Sequence, residues 1–208
     1  MSANTAQLDI NNEQISMTKN ELNSWFDQRF EERRQKEEAD HIPSMSIIAT
    51  KGTMDWAYPP FILASTAAAL GWNVSMFFTF YGLGLLKKDL ELEVSPLGNP
   101  AMPMKMPVGP QWLQDINMKI PNFVMGNIPG FETMATAMMK KTTENKGIAS
   151  VEELRSLCLE ADVKMVACQM TVDLFGYKQD EFMDEVQDWI GAASFLPTAQ
   201  KSDVTLFI

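Results

Sequence analysis

From Trp56 to Leu86 the chain carries no charged residue. Such a run is long enough to cross a bilayer, which takes roughly 20 apolar residues in a helix. Its punctuation points elsewhere. The turn signal Gly71-Trp72-Asn73 divides it into two segments of ordinary length, and such a signal inside an apolar run marks two elements rather than one. Before it, Asp55 to Leu70 is expected to form a helix with Pro59 and Pro60 near its start, where a missing amide is tolerated. After it, "NVSMFFTF" (Asn73 to Phe80) is β-branched and aromatic and reads as a strand. A buried helix feeding a buried strand is the expectation, with membrane contact through this run as its competitor.

The rest of the chain extends that pattern. "SMSIIATKG" (Ser44 to Gly52) reads as a strand ahead of the helix. Ser150 to Ala161 reads as a helix opened by Ser150, with Glu152 and Glu153 in its first turn to complement the helix dipole. "VKMVACQM" (Val163 to Met170) reads as a third strand. A short helical turn and then an acidic helix are expected over about Thr171 to Ile190, one further turn in "GAASFLPTAQ", and a last strand in "DVTLFI" (Asp203 to Ile208). Continuously apolar strands alternating with helices imply an α/β fold: a mainly parallel sheet with helices on both faces, flavodoxin-like in its layering.

Two parts lie outside this scheme. Residues 1–43 read as a separate helical arm, with residues 44–208 as the α/β domain. After a polar leader, Thr18 and Glu21 have the spacing of a capping box, and Leu22, Trp25, Phe26 and Phe30 follow at helical spacing until Pro43 stops the helix. Its apolar stripe needs covering by the chain's own domain, a sister subunit or another protein. The second part, about residues 87–141, is an insertion rich in proline that holds eight of the sixteen methionines. Within it Phe131, Met134, Ala135 and Met138 share a helical face. A lid, an oligomer contact, a docking surface and a shallow membrane contact all fit this composition.

Composition removes several functions. A net charge of -10 and a pI near 4.6 would repel a phosphate backbone, so no nucleic-acid partner is expected. Two cysteines do not make a secreted disulfide framework, and "MSANTAQLDINNEQ" has no basic stretch leading into an apolar one, so a reducing cytoplasm is expected. His41 is the single histidine, which leaves too few ligands for a metal site. No P-loop occurs, and "YGLGLL" (Tyr81 to Leu86) is too incomplete for a dinucleotide fingerprint. No cofactor is expected.

Sulfur remains. Ligands of parallel sheets sit beyond the carboxyl ends of the strands. Those ends bring Lys51, Gly52 and Thr53, then Thr79, Phe80, Tyr81 and Gly82, then Cys168, Gln169, Met170 and Thr171 to one rim. Cys168 precedes a helical turn with Gly176 as its stop. Free amides at that turn and a nearby Lys51 would favour a thiolate, while Asp173 would oppose it. An inert core cysteine is the alternative. Cys158 shares an apolar face with Val151, Leu154, Leu157 and Ala161 and reads as core. Its height of about 5 Å above the lower rim, against about 13 Å for Cys168, is awkward for a disulfide, which needs Cα atoms within about 7 Å.

On these residues the chain resembles the DsrE/DsrF-like family, and within it the longer branch labelled peroxiredoxin-like. "KGTMDWAYPPFILASTAAALGWNVSMFFTFYGLGLLKK" is similar to the first strand–helix–strand of that branch. Ala167, Cys168, Met170, Asp173 and Gly176 match its A-C-x-M-S-M-D-x-x-G pattern, with Thr171 and Val172 in place of the Ser and Met. The resemblance covers most of residues 44–208 and implies a DsrE-type α/β fold and a homo-oligomer. It also implies sulfur trafficking, with Cys168 as the reactive cysteine carrying sulfane sulfur as a persulfide or thiosulfonate. Cys158 falls where a second cysteine is common in the branch. Implied partners are TusA-like carriers, rhodaneses and other sulfur-relay proteins, in sulfur oxidation or tRNA thiolation. No peroxidatic Thr-x-x-Cys motif precedes Cys168. The expected function is therefore a sulfur carrier or sulfurtransferase drawing on persulfide or thiosulfate. The alternatives are a non-catalytic redox-sensing or interaction module and a membrane-associated protein.

Overall fold

The computed structural model describes residues 5–10, 13–95, 105, 109–116, 127, 129–186 and 188–208. Two compact units are present, Met1–Ile42 and Pro43–Ile208. In the first, strands β1 (Thr5–Ile10) and β2 (Glu13–Thr18) pair antiparallel and lead into helix α1 (Lys19–Asp40). The polar leader thus contains a hairpin. Its two stretches alternate polar and apolar residues, a period-two signal too short to stand out in so polar a segment. The capping box closes as its spacing requires. Thr18 N–H donates to Glu21 Oε2 at 2.8 Å and Glu21 N–H donates to Thr18 Oγ1 at 3.4 Å. No residue of α1 is buried.

The second unit is built on a five-stranded, all-parallel sheet in the order β6-β5-β4-β3-β7. Its strands are β3 (Ser44–Ala49), β4 (Asn73–Phe78), β5 (Lys164–Cys168), β6 (Asp188–Ile190) and β7 (Val204–Phe207). Helices cover both faces, so the layering is the flavodoxin-like α/β arrangement expected from the sequence. On one face, α2 (Met54–Ala69) and α5 (Val151–Glu160) lie side by side. They bury Phe61, Ala64, Val151, Leu154 and Cys158 over Ile47, Met76, Met165 and Ala167. On the other face, α7 (Ala192–Lys201) returns the chain from β6 at one edge to β7 at the other. It buries Phe195 and Ala199 over Phe77, Val166 and Cys168, with the Phe77 and Phe195 rings stacked at 4.7 Å.

The charge-free run resolves into α2, a turn, β4 and a 3-10 segment, Phe80–Leu86, whose Leu83, Leu85 and Leu86 are wholly buried. Among the described residues no helix is long and apolar enough to cross a membrane. The α2 turn is a Schellman motif. Gly71 adopts φ 82, its N–H donates to Ala68 O at 2.9 Å, and Trp72 N–H donates to Ala67 O at 3.1 Å.

Several expectations change. Pro59 and Pro60 sit in the second turn of α2 rather than at its start. The acidic stretch after Cys168 is not a second helix. A short α6 (Gln169–Phe175) is ended by Gly176 at φ 68, and a 3-10 turn (Gln179–Glu181) and the edge strand β6 follow. Phe182, Met183 and Val186 are buried there at spacings that suit an irregular segment crossing the core edge, not one helical face. "GAASFLPTAQ" forms the whole of α7 rather than one turn. Leu157 is 48% exposed, so α5 buries the narrower stripe Val151, Leu154 and Cys158.

In the insertion, the described parts are α3 (Gln111–Gln114) and α4 (Phe131–Asn145). α4 buries Phe131, Ala135 and Thr136 while Met134 is exposed, a face rotated from the expected one. The Thr136 hydroxyl fixes that rotation by accepting Val94 N–H at 2.9 Å. Most of the Met- and Pro-rich stretch, including "NPAMPM", lies outside the described residues.

Candidate functional site

Strand register places the residues of this site. Phe78 pairs with Ala167, so the next residues, Thr79 and Cys168, emerge level at the carboxyl ends of neighbouring strands. Side chains alternate along a strand, so Cys168 shares the α7 face with Val166 while Ala167 shares the α2–α5 face with Met165. Cys168 is 1% exposed, and Phe195 lies against the same cluster. Its sulfur therefore sits over a dry apolar floor.

Polar groups gather above that floor. Thr171, in the first turn of α6, is wholly buried. Its Oγ1 accepts Phe80 N–H at 3.2 Å and lies 3.1 Å from Thr79 Oγ1. Because Phe80 N–H already donates to it, Thr171 Oγ1 keeps its own proton for Thr79 or for the sulfur. Phe80 holds a left-handed backbone at φ 48, sparsely populated for a bulky residue. That conformation is strained, and strain of this kind is tolerated where a site requires it.

These donors act on Cys168. Burial pushes its thiol up. The hydroxyls of Thr171 and Thr79 pull it down, as do the backbone N–H groups of Thr171 and Met170, and together they prevail, so the thiol lies below its ordinary value. The Cys168 side chain closes no cap hydrogen bond with α6. The donors count when the sulfur is charged, because hydrogen bonds to an ion are the stronger ones. The site is therefore an anion hole of uncharged donors around one sulfur, in water-poor surroundings.

The remaining rim residues divide. The Met170 backbone N–H is the last of the groups that lower the Cys168 thiol, while its side chain is 61% exposed. Tyr81 is exposed and stacks on Phe175 at 6.0 Å between ring centroids, and Phe80 meets Phe175 edge-on at 6.5 Å. Gly52 and Gly82 let two loops touch backbone to backbone. A Cβ on Gly52 would strike the Tyr81 carbonyl, and one on Gly82 the Ala49 carbonyl. Lys51 places its ammonium 3.0 Å from the centre of the Trp56 ring and is not among the groups that lower the Cys168 thiol. Thr53 has a buried hydroxyl with no partner among the described residues and does not cap α2. Gln169 Nε2 donates to Asp173 Oδ1 at 2.8 Å, which occupies the carboxylate expected to oppose a thiolate.

Cys158 is wholly buried, donates its S–H to Phe61 O at 3.6 Å, and has its thiol pushed up to about 12 by burial. Both cysteines are free. The two are separated by the sheet itself, Cys158 on the α2–α5 face and Cys168 on the α7 face. This obstacle to a disulfide is stronger than the difference in height read from the sequence. The sequence places Thr79 on the rim but gives it no role in the site. Its signal was a hydroxyl at a strand end, which gains meaning only once β4 and β5 are known to be neighbours in register.

The match to known proteins falls on this unit. The model of the DsrE/DsrF/DrsH-like family matches residues 41–207. The chain belongs to that family. It is 57% identical over 164 residues, 79% of its own length and 97% of the relative's, to the sulfur carrier protein DsrE2 of Allochromatium vinosum. It is 30% identical over 163 residues, 78% of its length and 95% of the relative's, to the uncharacterized protein YrkE of Bacillus subtilis. Thr171, where the family pattern has Ser, keeps the hydroxyl that the anion hole uses.

Proposed function

We propose that this chain is a sulfur carrier that holds sulfane sulfur on Cys168 and passes it to a thiol of another protein. The observation that carries this reading is the ring of donors from Thr171, Thr79 and Met170 that draws the buried Cys168 thiol toward its thiolate. A thiolate is the form that attacks sulfur. Cys168 S⁻ attacks the outer sulfur of a donor persulfide or of thiosulfate. A new S–S bond forms, the old one breaks, and the donor thiolate or sulfite leaves with the electron pair. The product, Cys168–S–S⁻, keeps one negative charge, which hydroxyls and amides can hold without a cation. Delivery is the same exchange in reverse: an acceptor thiol takes up the outer sulfur and Cys168 S⁻ is regenerated, so no net oxidant is needed.

The surface around the site supports delivery to a protein. Phe80, Tyr81, Met170, Leu174 and Phe175 are each at least 40% exposed, an apolar rim that a partner would cover. A TusA-like carrier, a rhodanese or another sulfur-relay protein of a reducing cytoplasm would suit, with the chain itself as a homo-oligomer. Naming of a 57% identical relative as a sulfur carrier agrees with this reading. Cys158, buried and held neutral, stays structural. The test loads the full chain with polysulfide, removes the excess, adds a TusA-like protein, and follows both intact masses. Sulfur should move to the acceptor from wild type and from Cys158→Ala. Transfer from Cys168→Ala at the wild-type rate would overturn the proposal.

A further inference from the structure

Helix α1 carries two chemistries in sequence along one face. Leu22, Trp25, Phe26, Arg29, Phe30, Arg33 and Lys36 recur at spacings of three, four and seven, which places them together. The first half of that face is apolar and aromatic. The second half is cationic. Trp25, Phe26 and Phe30 are 39%, 62% and 62% exposed, and with Arg29, Glu32, Arg33 and Lys36 they line a groove of about 560 Å³. Arg29 is engaged locally, with Glu32 at 3.3 Å and with the Trp25 ring centre at 5.9 Å. Arg33 and Lys36 have no ion-pair partner among the described residues. The family match begins at residue 41, so this helix lies outside what the family shares.

We propose that α1 is a homotypic contact: two copies of the chain pair their α1 helices antiparallel, each laying its aromatic half on the other's basic half. The complementarity is contained in the one helix. Its aromatic side chains are exposed, and Arg33 and Lys36 have no ion-pair partner among the described residues. A guanidinium over an aromatic face is attracted to it, as the Arg29–Trp25 contact already illustrates within one copy. Parallel, in-register pairing would set Arg33 against Arg33 and Lys36 against Lys36, which repel. Antiparallel pairing removes that repulsion and brings Phe26 opposite the segment 29–36. The arrangement is two-fold symmetric and closed, so it gives a dimer contact rather than a filament.

The test places p-benzoylphenylalanine at Phe26 in the full chain, which keeps an aromatic there. Unlabelled and heavy-nitrogen chains are mixed, irradiated, and their cross-linked peptides mapped, so that links between copies carry both labels. Antiparallel pairing gives links between copies from position 26 to residues 29–36. Links between copies to residues 22–26, links confined to one copy, or no link between α1 helices would each overturn it. Adding Arg29→Glu and Arg33→Glu should lower the yield of those links about tenfold or more while leaving thermal unfolding of the domain unchanged. Equal yield would equally refute the pairing.

Discussion

Replacing Thr171 by Val tests the anion hole with almost no change of shape. The hydroxyl removed lies 3.1 Å from Thr79 Oγ1 and accepts Phe80 N–H at 3.2 Å. It is also the first of the groups that pull the Cys168 thiol down against the effect of burial. Hydrogen bonds to a charged group contribute about 1.5–3 kcal/mol. A tenfold change in the thiolate-to-thiol ratio corresponds to about 1.4 kcal/mol. The ratio at a fixed pH should therefore fall roughly tenfold to a hundredfold in Thr171→Val. Phe80 N–H loses its acceptor, and because Phe80 is 48% exposed that loss should cost only about 1 kcal/mol.

The pH dependence of Thr171→Val has a definite sign. The folded Cys168 thiol lies below the unfolded one, so its contribution to stability is fully present above the unfolded thiol pKa and is lost as pH falls through the folded value. The variant should thus be more destabilised at pH 9 than at pH 6. Ultraviolet titration of the thiolate reads the ratio directly, and Cys158, pushed up to about 12, stays silent over that range. Thr171→Ser, which keeps the hydroxyl, should titrate like wild type. A Thr171→Val curve that superposes on wild type would refute the reasoning.

Other expectations follow from packing and placement. Gly82→Ala should lower stability by about 2 kcal/mol or more in urea unfolding, since its Cβ would meet the Ala49 carbonyl rather than a side chain that can move. Gly52→Ala should behave alike against the Tyr81 carbonyl. Cys158→Ala should cost about 1 kcal/mol at neutral pH. It should also remove the alkaline loss of stability that Cys158 is expected to cause in wild type: the unfolded thiol ionises near pH 8.5, whereas the folded one stays neutral until about 12. Tetrathionate treatment should leave no Cys158–Cys168 disulfide in peptide maps of native protein, because the sheet lies between them.

Much of this was legible in the sequence. The charge-free run read as two buried elements, and its Gly71 turn showed where they divide. The apolar runs picked out the three strands but carried them to Gly52, Phe80 and Met170, two or three residues past their ends at Ala49, Phe78 and Cys168. Register was not legible. Thr79 could be recognised as a sulfur ligand only from Phe78 pairing with Ala167. Nor was side-chain engagement: Lys51 sits at the right strand end, yet its ammonium lies over the Trp56 ring in the first turn of α2. The acidic stretch from Asp180 to Asp188 has helix-forming residues, but Phe182, Met183 and Val186 are drawn into the core edge, and tertiary burial overrode local preference. The hairpin at the N-terminus was hidden because its alternation is short and its composition polar.

The claim that matters most is that Cys168, and not Cys158, carries sulfur. Intact mass after brief treatment with polysulfide, followed by removal of excess reagent, tests it directly. Wild type and Cys158→Ala should each gain the mass of one sulfur atom per chain, lost again on reduction, while Cys168→Ala gains none. A sulfur adduct retained in full by Cys168→Ala, or lost in Cys158→Ala with the fold intact, would contradict it.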